Sequence, residues 1–225
     1  MSDPDLVEQL QPIIEETVDR LRHADFRPDP IAGNLFSRIT SVMSSAYKRH
    51  GNILEAAILT RIASMERYEA HGVDRFYYND VARNVVNAAM ADPSQLDDTH
   101  LPYVDDNQLD RLQLDMVVYD RETKIVTSYE IKRGNGAHDA NARRGMKRDA
   151  LTAKVLLKSY AELHGWDVAG SRSYVIFYYG IRGLPHPLGL IGDELNDHFG
   201  DAGITDDIEA VNRSFRRQLF EILSQ

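Results

Sequence analysis

Apolar residues recur at helical spacing through the first sixty or so positions, then give way after residue 110 to alternating runs rich in β-branched and aromatic side chains. "VEQLQPIIEETVDRLRH" (7–23) reads as an amphipathic helix, and "RPDPIAG" (27–33) as a break. "NLFSRITSVMSSAYKRH" (34–50) is expected to form a second helix, stopped at Gly51. "NILEAAILTRIASMERYEAHG" (52–72) is expected to form a third, apolar around most of its circumference and therefore buried. "DVARNVVNAAM" (80–90) makes a short fourth helix, and a polar, acidic loop follows (91–108).

The period then changes. "RLQLDMVVYD" (111–120) and "KIVTSYEIKR" (124–133) read as two strands of a hairpin. "DANARRGMKRDALTAKVLLKSYAELHG" (139–165) returns to helical spacing, with Met146, Ala150, Ala153, Leu157 and Tyr160 on one stripe. "SYVIFYYGI" (173–181) is apolar on both faces, as a central strand should be, and "DDIEAVNRSFRRQLFEILSQ" (206–225) closes with an amphipathic helix. The order predicts an α/β fold: a mixed sheet, built from an antiparallel hairpin and a strand parallel to its predecessor, flanked by helices. A single domain over 1–225 is expected, with a core at 51–180 between helical parts at 1–50 and 181–225.

Composition narrows the chemistry. The 225 residues contain no cysteine, which excludes disulfides and thiolate metal sites and suits a reducing cytoplasm. The acidic start "MSDPDLVEQL" has no basic region leading into an apolar run, so no signal peptide is expected, and no apolar stretch reaches membrane-spanning length. The net charge of −9 argues against a general nucleic-acid binder, but its distribution is uneven. Lys132, Arg133, Arg143, Arg144, Lys147, Arg148, Lys154 and Lys158 fall within 131–160, against only Asp139 and Asp149.

That basic segment begins at "SYEIKRGNG" (128–136). Strand alternation puts Glu130 and Lys132 on one face and Ile131 on the other. A four-residue loop, Arg121 to Lys124, pairs Asp120 with Ile125, and the same register sets Asp115 opposite Glu130 on that face. A one-residue slip would turn Asp115 away. Two opposed carboxylates repel unless neutralised, and oxygen-only donors favour a hard cation, Mg²⁺ or Mn²⁺. Lys132 beside them is placed to orient a water or to offset charge on a phosphorane. The set suits phosphodiester hydrolysis, against the plainer reading of a hairpin with ordinary surface charges.

"LDMVVYD" followed by "YEIKRG" resembles the PD-(D/E)xK nuclease superfamily, which includes restriction endonucleases and many repair and recombination nucleases. Asp115, Glu130 and Lys132 match its motif, over a resemblance covering about residues 50–180, although Leu114 stands where the motif has proline. The resemblance implies a restriction-endonuclease-like fold and a type II restriction-like enzyme acting on DNA. It also implies a metal held by Asp115, Glu130 and the Ile131 carbonyl. Its alternatives are a repair, recombination or RNA nuclease of the same fold, and a non-catalytic protein-binding module, which the net acidity favours. Cutting both strands calls for two centres, hence a homodimer.

Many members of that family add a glutamate from a preceding helix, and Glu55 is the candidate here; the other reading makes it the third residue of a capping box on Asn52. Glu66 and Glu69 are weaker candidates. Arg133, Arg143, Arg144, Lys147, Arg148, Lys154 and Lys158 are the candidate DNA phosphate contacts, each also readable as part of a solvated face. "GNGAHDAN" (134–141) is either a plain connector or a loop that orders on a substrate, and it matches no phosphate-cradling pattern. The eight histidines form no HxH or HExxH pair and read as structural, as do Trp166, Tyr174, Phe177, Tyr178 and Tyr179.

Overall fold

A computed structural model describes residues 4–224 apart from Asn135 and Ala137, so part of the "GNGAHDAN" reading lies outside the described residues. In chain order the elements are α1 (Pro4–Arg22), α2 (Gly33–Ala63), β1 (Tyr68–Tyr78), α3 (Asp80–Ala89), β2 (Asp110–Asp120), β3 (Ile125–Lys132), α4 (Ala140–Leu163), β4 (Gly170–Phe177), β5 (Gly189–Ile191), α5 (Leu195–Phe199) and α6 (Ile204–Leu223). The chain divides into two compact units. One joins the residues up to Arg61 to those from Asn196 onward, and the other holds Ile62–Leu195.

In the first unit, α1 packs against α6. The buried face of α1 carries Leu6, Leu10, Ile14, Val18 and Leu21, and that of α6 carries Ile204, Ile208, Val211, Phe215 and Leu219. Burying each such side chain contributes about 1.5–3 kcal/mol. Arg61 ties α2 to the C-terminal segment by donating to Asp201 and Asp207, each at 2.7 Å.

Here the sequence expectation is corrected. The second and third helices are one, running through Gly51 and ending at Ala63. A mid-helix glycine costs about 1 kcal/mol relative to alanine. Ile53, Leu54, Ala57 and Ile58 are each fully buried just beyond it, and His50 bonds the buried Asn212 just before it at 3.0 Å. Those contacts outweigh one poor residue. The stretch from Tyr68 to Gly72, expected to be helical, is instead the start of β1.

The second unit is built on a five-stranded mixed sheet in the order β1-β2-β3-β4-β5. Strand β2 runs antiparallel to both β1 and β3, and β3, β4 and β5 are parallel. Helix α4 connects β3 to β4 and packs on both, with α3 against it. Asp139 caps α4 by accepting from Ala142 N at 2.8 Å, and Asn79 caps α3 in the same way. The core between α4 and the sheet gathers Phe76, Val117, Val126, Leu151, Val155, Val175 and Phe177. All five residues of the expected α4 stripe are buried. The α/β class with a mixed sheet flanked by helices is thus present. No helix among the described residues is long and apolar enough to cross a membrane.

Gly51 offers a direct check on the continuous helix. A Cβ there would meet nothing nearer than a Glu55 carboxylate oxygen at 3.9 Å. Gly51→Ala should therefore stabilise the protein by about 0.5–1 kcal/mol. In a thermal melt that amounts to a rise of roughly 1–4 °C for a chain of this size. A helix broken at Gly51 would gain nothing from the change, or lose by it.

Candidate functional site

The β2–β3 hairpin has the expected loop. Asp120 pairs with Ile125, and the ladder continues as Tyr119↔Val126, Val118↔Thr127, Val117↔Ser128 and Met116↔Tyr129. Asp120 holds the turn by accepting from the Glu122 amide at 3.0 Å and the Thr123 amide at 3.3 Å. Arg67 grips the same carboxylate through two bonds, at 3.0 and 2.6 Å. Burial would raise the Asp120 carboxyl, but the Arg67 and Thr123 side-chain bonds and the turn amides overcome it, bringing it down to about 2. Lys124 closes the turn in the left-handed region at φ 57°.

The ladder ends one pair short of the expected opposition of Asp115 and Glu130. The Asp115 carboxylate instead accepts from the Ile131 amide at 2.7 Å. A bulge on the other side of β2 accounts for the change. His71 pairs with Val117 and Val73 with Leu114, so Gly72 alone faces both Asp115 and Met116. Bulges of this kind bend a strand and re-aim a side chain. Asp115, Glu130 and Lys132 nonetheless line one pocket of about 310 Å³. Ser128 and Ser173 also line it, bonded to each other at 2.9 Å. Lys132 Nζ lies 2.7 Å from Glu130 Oε1.

A third carboxylate belongs to this pocket. Asp149 lines it from α4, beside Ala150 and Ala153, and its Oδ1 is 3.4 Å from Arg148 Nε. Sequence reading passed over Asp149 as an exception within a basic run. The signal was there: a lone acid one position before the buried stripe of Ala150 and Ala153, at the edge of the sheet-facing side. Burial raises the Asp149 carboxyl, Arg148 opposes this, and the Glu130 charge adds to the rise while Lys132 works against it. Burial also raises the Asp115 carboxyl, against the Ile131 amide and Lys132, with Glu130 again adding to the rise.

Other predicted residues fall elsewhere. Arg143, Arg144 and Lys147 edge a separate recess with Met90 and Leu184, and Lys147 donates to the Met90 carbonyl at 2.8 Å. Lys154 is committed to Asp97 at 2.7 Å, with only 15% of its side chain exposed. Lys158 is half-buried, Arg148 is exposed, and Arg133 stacks over Tyr179 at 5.2 Å. Glu69 accepts from Trp166 Nε1 at 2.9 Å. Glu55 lies on α2 in the first unit, and because Asn52 is inside that helix the capping-box reading is corrected.

Among the described residues no group of three or more His, Asp or Glu side chains is already arranged to hold a metal ion. The donor set at the pocket does fit a hard divalent cation. Asp115, Glu130 and Asp149 are its carboxylate oxygen donors, and burial raises the carboxyls of Asp115 and Asp149. Magnesium commonly takes one or two protein carboxylates and keeps water elsewhere. Comparison of the chain with family models, with curated proteins and with solved structures finds no match.

The raised Asp115 carboxyl gives a stability prediction. Between the unfolded carboxylate value and the higher folded one, the folded state holds the extra proton, so stability falls as pH rises through that window. Asp115→Asn removes the buried charge and leaves a carbonyl oxygen to accept from Ile131. In chelator-treated protein it should raise the melting temperature at pH 7, and the gain should vanish as pH drops into the ordinary carboxylate range. A lower melting temperature at pH 7 would contradict this electrostatic account.

Proposed function

We propose that the protein is a metal-dependent nuclease of the PD-(D/E)xK kind, with a restriction-endonuclease-like core, hydrolysing phosphodiester bonds in DNA. The observation that carries this reading is the convergence of Asp115, Glu130 and Lys132, from neighbouring antiparallel strands, on one pocket. Asp115 and Glu130, with the Ile131 carbonyl, are the residues that would hold Mg²⁺ or Mn²⁺, which when bound supplies Lewis-acid polarisation and charge neutralisation at phosphorus.

The chain's own groups divide the remaining work. The Ile131 amide fixes the Asp115 carboxylate. Lys132, paired with Glu130, presents an ammonium able to orient an attacking water and to offset charge building on the phosphorane. Asp149, a raised carboxyl at the same pocket, is a group able to take up a proton from that water. Arg133, Arg143, Arg144, Lys147, Arg148 and Lys158 are the proposed backbone contacts, and Lys154 joins them only on release from Asp97. Glu55 enters through the resemblance alone. A homodimer would bring two centres to two strands.

The net charge of −9 favours a second reading, a binding module that keeps the fold without catalysis. Incubating plasmid DNA and, in parallel, single-stranded RNA with Mg²⁺ separates the two. Wild type should cut DNA, Lys132→Ala should cut about 10²–10³-fold more slowly, and Asp115→Asn should be inactive while folded. Equal cutting by wild type and Asp115→Asn would dismiss this site, and cutting of RNA alone would change the substrate.

A further inference from the structure

We infer that Arg75 and Arg111 form a phosphate-binding subsite beside the carboxylate pocket, gripping the nucleic-acid backbone next to the bond to be cut. Its role in cleavage rests on the nuclease reading, whereas its affinity for phosphate does not.

Arg111, Gln113 and Asp115 alternate along β2, and all three line the carboxylate pocket. Arg111 also lines a second recess, of about 550 Å³, with Arg75, Tyr77 and Asn107. Arg111 therefore borders both spaces. At about 3.3 Å per residue, Arg111 stands roughly 13 Å along the strand from Asp115.

A second bulge brings Arg75 to the same recess. Val73 pairs with Leu114 and Phe76 with Leu112, so Asp74 and Arg75 together oppose Gln113. This extra residue on β1 offsets the extra residue on β2 at Asp115 and Met116. Beyond it, Tyr77 again pairs with Arg111, and Arg75 lies two positions from Tyr77 on the same face. The irregularity that displaces Asp115 from regular pairing is thus followed at once by one that aligns Arg75 with Arg111.

The charges leave these arginines available. Asp110 lines the recess but is ion-paired to Arg83. Arg75 and Arg111 are exposed, and among the described residues neither guanidinium has a hydrogen bond or ion pair. Other arginines are committed to carboxylates: Arg61 to Asp201 and Asp207, Arg67 to Asp120, and Arg182 to Glu194. A chain of net charge −9 whose pocket holds three carboxylates repels a phosphate backbone. Two uncommitted guanidiniums at its edge offset that repulsion, and their planar forks match phosphate oxygens two at a time.

Two measurements test the subsite. In the first, inorganic pyrophosphate is titrated into the full chain while the arginine Nε–Hε resonances are followed by NMR. Arg75 and Arg111 should shift and the paired Arg83 should not; the absence of any shift at Arg75 and Arg111 overturns the subsite. In the second, duplex DNA binding is measured over a salt series for wild type and Arg75→Ala/Arg111→Ala, both carrying Asp115→Asn to prevent cutting. Loss of two phosphate contacts should flatten the slope of log affinity against log salt by about 1.8. An unchanged slope removes the subsite from the nucleic-acid path even if pyrophosphate binds. Failure of wild type to cut any nucleic acid, with the pyrophosphate shifts intact, would reject the nuclease reading and keep the anion site.

Discussion

The register of the β2–β3 hairpin is the constraint on which the candidate site depends. Side chains alternate with a period of two, so a slip of one residue would exchange the two faces of β3. Glu130, Lys132 and Ser128 would then turn into the opposite side, and Tyr129 and Ile131 would replace them in the pocket. Asp120 guards against this from the far end of the hairpin. Its carboxylate holds two turn amides and both prongs of Arg67. Those bonds hold the Asp120 carboxyl down to about 2, well below the usual carboxylate range. An interaction at the turn thus decides which side chains meet at the other end of the strands.

The opposite edge of β2 works by irregularity. Two bulges against β1 lie between Val117 and Leu112, one adding a residue to β2 and the next adding one to β1. Their offsets cancel, so the pairing of Tyr77 with Arg111 returns to the register of His71 with Val117. Between them lies the stretch that carries the candidate site. Asp115 leaves regular pairing to take the Ile131 amide, and Arg75 reaches the side of Arg111. The pocket then concentrates negative charge where burial disfavours it, at Asp115 and Asp149. Such sites are where perturbed carboxyls and function tend to coincide.

Much of this was legible in the sequence, and the rest was hidden for physical reasons. The hairpin was readable because its strands are long, β-branched and joined by a loop whose length alone fixes parity. The stripe on α4 was readable because Met146, Ala150, Ala153, Leu157 and Tyr160 keep strict helical spacing. Gly51 misled because propensity is a local preference, and the burial of Ile53, Leu54, Ala57 and Ile58 overrides it. The start of β1 was read as helix because residues 68–72 follow closely on an apolar helix and show no clean alternation of buried and exposed positions. With three residues, β5 is too short to carry a pattern. Arg75 and Arg111 come together only through tertiary placement, and no spacing along the chain announces it.

The central claim is that Asp115 and Glu130 jointly bind one divalent cation. Titration calorimetry with Mn²⁺, in the absence of nucleic acid, tests it on wild type, Asp115→Asn and Glu130→Gln. The account predicts one site in the wild type. In each variant the affinity should fall by more than the roughly 10–100-fold that losing an outer-sphere partner costs. Unchanged Mn²⁺ affinity in both variants would contradict it.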